Sequence, residues 1–201
     1  TGAGEPWLRR VVLLGTPNLG TVEGVRSLAE GFRISATGRV PTETVLTMPS
    51  AYQLLPHPGV PWLVTNGGRV VHEDLYAPDT WRRHRWAVWS PRVRHAIAAR
   101  LPNPADAERY LAQLERHFVA SLERARRLAH ALDAPNAAAK LRYASFGGDC
   151  TKTPAHVVVE PWRGGWDERY AAYEVTQRVA GVDSRALLYD PGDGMVTKAS
   201  M

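Results

Sequence analysis

The chain has 201 residues, a hydrophobic fraction of 44%, seven tryptophans and a net charge of +5 with histidine neutral. That suffices for one large domain, or for a core domain with an inserted cap, while no apolar run of about 18 residues offers a bilayer span. The positive charge is carried almost entirely by arginine and comes with no nucleic-acid-binding motif, so nucleic acid is excluded as the expected partner.

Residues 8–14 end in Val11-Val12-Leu13-Leu14, a continuous apolar run closed by Gly15. Such a run fits a strand buried on both faces, as parallel sheets require. Thr16-Pro17-Asn18-Leu19-Gly20 breaks it into a loop. Thr21 is placed to cap a short helix through Ala29, with Glu23 in the favourable first turn. Residues 31–103 hold eight prolines and no long helical period, the texture of an insertion. Within them, residues 49–56 read as a helix of one to two turns bounded by Pro49 and Pro56. Residues 60–64 and 69–72 read as a small hairpin around Asn66-Gly67-Gly68. Trp81-Arg82-Arg83-His84-Arg85-Trp86 interleaves arginine with tryptophan. That pattern suits a membrane surface, or, as the preferred reading, a solvated face with the indoles turned into the core.

Asn103, Pro104, Asp106 and Glu108 open the best helix of the chain, with cap, first-position proline and dipole-matched acids. Leu111, Leu114, Phe118, Leu122, Ala125, Ala129 and Leu132 recur at three- and four-residue steps, and Ala134-Pro135-Asn136 ends the pattern. The apolar stripe predicts packing on its own domain, with a partner-binding face as the alternative. Residues 141–146 form a second strand closed by Gly147-Gly148. Cys150 is the lone cysteine and reads as a buried thiol rather than a nucleophile. Residues 155–160 supply a β-branched run, residues 162–166 a glycine-rich turn, and residues 183–190 a further strand running into Gly192.

Gly192-Asp193-Gly194-Met195-Val196 sets one carboxylate between two glycines at the end of that strand. An acid held there can orient a histidine, as in acid–base–nucleophile triads; an ordinary surface turn is the alternative. Seven scattered histidines without ligand spacing give no metal site, and no phosphate-cradling glycine loop is present, so no cofactor is expected. A Gly-x-Ser-x-Gly elbow is missing too. Ser145, in Tyr143-Ala144-Ser145-Phe146-Gly147, reads as an ordinary strand residue.

Three segments in order resemble the lecithin:cholesterol acyltransferase-like branch of the α/β-hydrolases. They are the strand into Gly15-Thr16-Pro17-Asn18-Leu19-Gly20, the block Pro49-Ser50-Ala51-Tyr52-Gln53-Leu54-Leu55-Pro56, and the turn Gly192-Asp193-Gly194-Met195-Val196. Residues 143–154, leading to Thr153-Pro154, also look like the family's pattern. Met195 stands where the family usually has threonine, and Thr197 where proline is common. The resemblance implies an α/β fold, the later half of a hydrolase sheet with an inserted, partly helical cap or lid. Residues 1–30 and 141–201 would then belong to the sheet and 31–140 to the cap. It implies Asp193 as triad acid, Thr16 and Asn18 on the active-site side, and an acyl pocket from residues such as Leu54, Leu55 and Trp62. Triad order in this fold is serine, acid, histidine, so serine and histidine are expected outside this segment. The expected activity is that of a lipase, esterase or acyltransferase on a lipid or other ester, in partnership with the missing half of the domain. Two rivals are a non-catalytic hydrolase-like module that binds lipid or a protein partner, and a membrane-surface binder using Trp81, Arg82, Arg83, Arg85 and Trp86.

Overall fold

The structure is a computed structural model and describes residues 9–35, 37–133, 142–162 and 165–201. Leu8, Leu141, the helix-ending Ala134-Pro135-Asn136 and Gly164 of the glycine-rich turn lie outside the described residues. Helices and small sheets mix along the chain, an α/β arrangement in the general sense. Strand β1 (Arg10–Leu14) leads into helix α1 (Val22–Glu30), the minor hairpin β2 (Phe32–Arg33) and β3 (Arg39–Val40), then α2 (Thr42–Val45) and α3 (Pro49–Gln53). Strand β4 (Leu63–Thr65) precedes α4 (Pro78–His84), α5 (Pro91–Arg100) and α6 (Pro104–Asp133). The chain closes with β5 (Arg142–Phe146), β6 (Thr151–Pro154), β7 (Val157–Trp162), β8 (Gly165–Arg169), α7 (Ser184–Leu188) and β9 (Tyr189–Gly192).

Caps account for several boundaries. The Thr21 side chain accepts from the Glu23 amide at 3.3 Å, and Asn103 Oδ1 from the Ala105 amide at 3.0 Å. Prolines 49, 78, 91 and 104 each sit in the first turn of a helix. There the missing N–H has no intrahelical role, so the ring starts a helix instead of breaking one. This is why residues 31–103 contain α4 and α5 where the proline count predicts only short irregular pieces.

The core runs along α6. Its buried face includes Ala107, Leu114, Phe118, Leu122, Ala125 and Ala129, whereas Leu132, in the last turn, is 64% exposed. Phe118 takes three aromatic edges, from Trp81 at 5.2 Å, Trp89 at 5.3 Å and Tyr52 at 5.4 Å. Truncating such a buried ring costs about 3–5 kcal/mol. The same cluster draws in Val25 and Leu28 from α1 and Val157 and Val159 from β7, so one core joins the beginning, middle and end of the chain. Trp81 and Trp86 belong to it and are buried. The arginine–tryptophan stretch therefore offers no indole to a membrane. Arg82 pairs with Asp79 at 3.0 Å and lies over Trp89, and Arg83 pairs with Glu73 at 2.6 Å. No described helix is long and apolar enough to cross a membrane.

Two further expectations are corrected. Residues 184–188 form helix α7, because Asp183 Oδ1 accepts from the Arg185 amide at 2.8 Å and caps a turn there. Only Tyr189–Gly192 is strand, paired antiparallel with β6. Cys150 is exposed, with its thiol 3.5 Å from Asp149 Oδ1.

Strands β1 and β5 pair in parallel, Val12 beside Ala144 and Leu14 beside Phe146. Among the described residues neither has a second neighbour. Val12 is 50% exposed, Leu14 72%, Phe146 60% and Tyr143 63%. Alternation puts the first three on one face, which is uncovered, and Tyr143 on the other, where Val11 and Leu13 are half-buried. Strand β7 is covered by contrast: it pairs in parallel with the buried β4 and antiparallel with β8, and its four residues Val157 to Glu160 are buried.

Glu168 on β8 stands opposite Val159. Burial, reinforced by the carboxylates of Asp167 and Glu30, pushes its carboxyl up from 4.5 to about 7. The folded chain thus keeps a proton that the unfolded chain has released between these values. Stability falls as the pH rises from 4.5 to about 7. Glu168→Gln removes this part of the slope in urea midpoints measured across that range; an unchanged slope in the variant contradicts the assignment.

Candidate functional site

The turn at residues 192–196 closes on its own acid. The amides of Met195 and Val196 both donate to Asp193 Oδ1 at 2.8 Å. The Asp193 amide bonds the Val196 carbonyl at 3.2 Å. The Thr153 hydroxyl, fully buried on β6, accepts from the Gly194 amide at 2.8 Å. The two amides on Oδ1, Val196 first, hold the Asp193 carboxyl below its ordinary value. The group therefore stays ionised through the neutral range.

Gly192 is required by space. A Cβ there would lie 2.3 Å from the Val196 carbonyl oxygen and 2.5 Å from Thr153 Oγ1. Met195, by contrast, is bound through its backbone alone. Its amide serves Asp193, its carbonyl accepts from Thr21 Oγ1 at 2.8 Å, and its side chain is 49% exposed. The turn is complete without a side-chain hydroxyl at that position.

The other carboxylate oxygen faces the loop after β1. A Cβ built on Gly15, at φ 55°, would lie 3.1 Å from Asp193 Oδ2. Gly148, after β5, packs against the Asp193 Cβ. The acid thus stands at the carboxyl ends of the two parallel strands. It is exposed, and no described residue hydrogen-bonds Oδ2. Three hydroxyls near it are committed. Ser145 Oγ donates to the Met201 carbonyl at 3.0 Å, Ser200 Oγ to the Gly20 carbonyl at 2.6 Å, and Thr21 to Met195. No described histidine hydrogen-bonds Asp193, and no described group of three His, Cys, Asp or Glu side chains is placed to hold a metal ion.

The two loops are clasped together. Asn18 Nδ2 donates to the Met201 carbonyl at 2.6 Å, and the Leu19 amide lies 3.2 Å from both the Ser200 carbonyl and its hydroxyl. Thr16, half-buried, contributes its carbonyl to the Asn18 amide at 2.9 Å. Thr16 and Asn18 thus lie in the loop beside Asp193, with Asn18 spent on holding the last residues in place.

Leu54, Leu55 and Trp62 do not converge on the acid. Leu54 is 41% exposed, and its carbonyl accepts from the Thr21 amide at 2.8 Å. Leu55 is buried in the core, with its carbonyl against Gly20. Trp62 is buried, stands edge-on to Trp86 and lines a different cavity. Tyr52, fully buried with its hydroxyl on the Leu46 carbonyl at 2.7 Å and its ring against Phe118 of the long helix, draws its neighbour Leu55 into the core, and Trp62 is held on a later segment by Trp86. Sequence reasoning missed Thr153 and Ser200. A Thr-Pro pair on the strand beside Asp193 hints at the first, whereas nothing in the sequence marks the second.

These contacts predict opposite outcomes for two substitutions in one turn. Gly192→Ala overpacks a backbone site and lowers stability by about 1–3 kcal/mol or more. Met195→Thr changes it by less than about 0.5 kcal/mol. Paired urea denaturation curves test this, and equal effects of the two contradict it.

Compared with known proteins, the chain matches no family model, no curated protein and no solved structure.

Proposed function

We propose that this chain is part of a serine-dependent lipid-ester hydrolase or acyltransferase, of the lipase, phospholipase or esterase type. In this reading it is the later half of an α/β-hydrolase sheet with its cap, and Asp193 is the triad acid. The observation that carries the reading is the division of labour on Asp193. One oxygen is fixed by two amides, and the other is unspent at the carboxyl ends of two parallel strands. A carboxylate so held can accept from the Nδ1–H of a histidine and stabilise the imidazolium that forms as serine gives up its proton. The serine oxygen would attack the ester carbonyl, expel the alcohol and leave an acyl-enzyme, from which water or an acceptor alcohol takes the acyl group. The lipid or ester substrate and the segment bearing serine and histidine are the partners this requires. The exposed side chains of β1 and β5, and the edge of β1 that has no strand neighbour among the described residues, supply a place for that segment.

The hydroxyls of Ser145, Ser200 and Thr21, each tied to a carbonyl, favour a second reading, a non-catalytic hydrolase-like module that binds lipid or a protein partner. Activity separates the two. This chain alone is expected neither to hydrolyse p-nitrophenyl esters nor to label with a fluorophosphonate. A longer protein containing it should do both, and Asp193→Asn there should lower turnover by about 10⁴-fold, as a misoriented histidine does. A longer protein whose turnover survives Asp193→Asn contradicts the catalytic assignment, and one with no esterase activity leaves the binding module as the reading.

A further inference from the structure

A cavity lies away from Asp193. It has a volume of about 740 Å³ and lies between residues 56–62, residues 70–76 and the last turns of α6. A volume of this order suits a small organic ligand. A neighbouring hollow of about 50 Å³ reaches Ser200 and Thr197 and shares only Pro56 and Val60 with it. That hollow has no room for a ligand of this size, so the large cavity is a site in its own right.

Its accessible apolar lining comes from Val60, Val70 and Val71, half-buried or exposed, while Trp62, Leu75 and Tyr76 are buried and close the floor. The polar ends of both aromatics are already spent. The Trp62 indole N–H donates to the Glu73 carbonyl at 3.2 Å, and the Tyr76 hydroxyl to the Pro56 carbonyl at 3.2 Å. What they present to the cavity is therefore carbon. Pro56, Pro58 and Pro61 stiffen the facing wall, so little ordering is lost when a ligand enters.

The formal charges of the lining cancel in place. Arg126 pairs with Asp74 at 2.8 Å, and Glu73 with Arg83 at 2.6 Å. His57 accepts from the Gly59 amide at Nδ1 at 3.2 Å, which puts its proton on Nε2, 2.9 Å from Asp133. A charged ligand would find no unpaired opposite charge and would lose its hydration on entry. At the mouth, His72 and His130 line the cavity and make no hydrogen bond to another described residue. Their ring nitrogens are available to an uncharged polar head.

From this we infer that the cavity binds an uncharged single-chain amphiphile, such as a long-chain alcohol or monoacylglycerol, with its hydrocarbon chain on Val60, Val70 and Val71 and its hydroxyl at His72 and His130. The site uses neither a serine nor a histidine of a triad, so it stands or falls separately from the ester-cleaving reading.

Nile red titrated into the whole chain, followed by displacement, tests the site. The dye binds saturably and dodecanol displaces it at lower concentration than dodecanoate or dodecyltrimethylammonium. Val70 lines the cavity and is 39% exposed, so a carboxylate there is tolerated by the fold. Val70→Glu weakens dodecanol by roughly tenfold or more, because the chain must then be buried against a charge. Val60→Glu does the same from the opposite wall, and circular dichroism checks the fold of both. Leu14→Glu, on the exposed β1 sheet, leaves the affinity unchanged. Three results overturn the inference: no saturable binding, displacement by a charged amphiphile at least as good as by dodecanol, or binding lost with Leu14→Glu and kept in both cavity variants.

Discussion

Two parallel strands cannot make a stable sheet by themselves, and this chain contains such a pair. Parallel ladders occur with both faces covered, because their crossovers put helices there. Here β1 and β5 hold register over five residues each, yet Val12, Leu14, Tyr143 and Phe146 stay largely in solvent. Burying a side chain of this kind is worth about 1.5–3 kcal/mol. Four of them together approach the whole net stability of a domain, about 5–15 kcal/mol. Neither strand carries a proline, and the apolar stretch Val11 to Leu14 has no charge to protect its edge. The pair is built to be covered.

Everything proposed about Asp193 is tied to that pair. Gly15 and Gly148, the residues against the acid, are the turns that leave β1 and β5. Asn18 and Ser145 converge on the Met201 carbonyl, so the loop after β1, the strand β5 and the end of the chain share one anchor. Thr21 then links the turn to the core. Its hydroxyl bonds Met195 while the same oxygen caps α1, whose Val25 and Leu28 are fully buried. The carboxylate is thus positioned from one side by a packed helix. On the other side it faces the uncovered sheet, where a partner strand would bring the groups it lacks.

Much of this was legible in the sequence wherever a local rule decides the structure. Thr21 and Asn103 mark helix starts because a side-chain oxygen meets an unpaired amide. Phe118 and Leu122 mark a core face because the period is helical. The strands at 10–14 and 142–146 and the turn around Asp193 follow from runs closed by glycines, but the pairing of the two strands does not, and β1, which reads as buried on both faces, leaves Val12 and Leu14 exposed. Failures came where one residue type serves two purposes. Pro78 and Pro91 look like breakers and are helix openers. Ala186-Leu187-Leu188 reads as strand, but the Asp183 carboxylate captures the Arg185 amide and tips it into a helix. Leu55 and Trp62, expected at a pocket by the Asp193 site, lie elsewhere, because Leu55 follows the buried Tyr52 into the core and Trp62 packs on Trp86. The large cavity had no signal at all, since its walls come from three distant stretches.

The account depends most on the outer edge of β1 being a binding edge. Amide hydrogen exchange measures that edge directly. In this chain alone, at concentrations where it is monomeric, the β1 amides that do not bond β5 should exchange nearly as fast as an unstructured peptide. In a longer protein containing the chain, the same amides should be protected as strongly as those of Val157 to Val159. Protection of the β1 edge in the isolated monomer would mean that the pair is already complete, and would contradict the account.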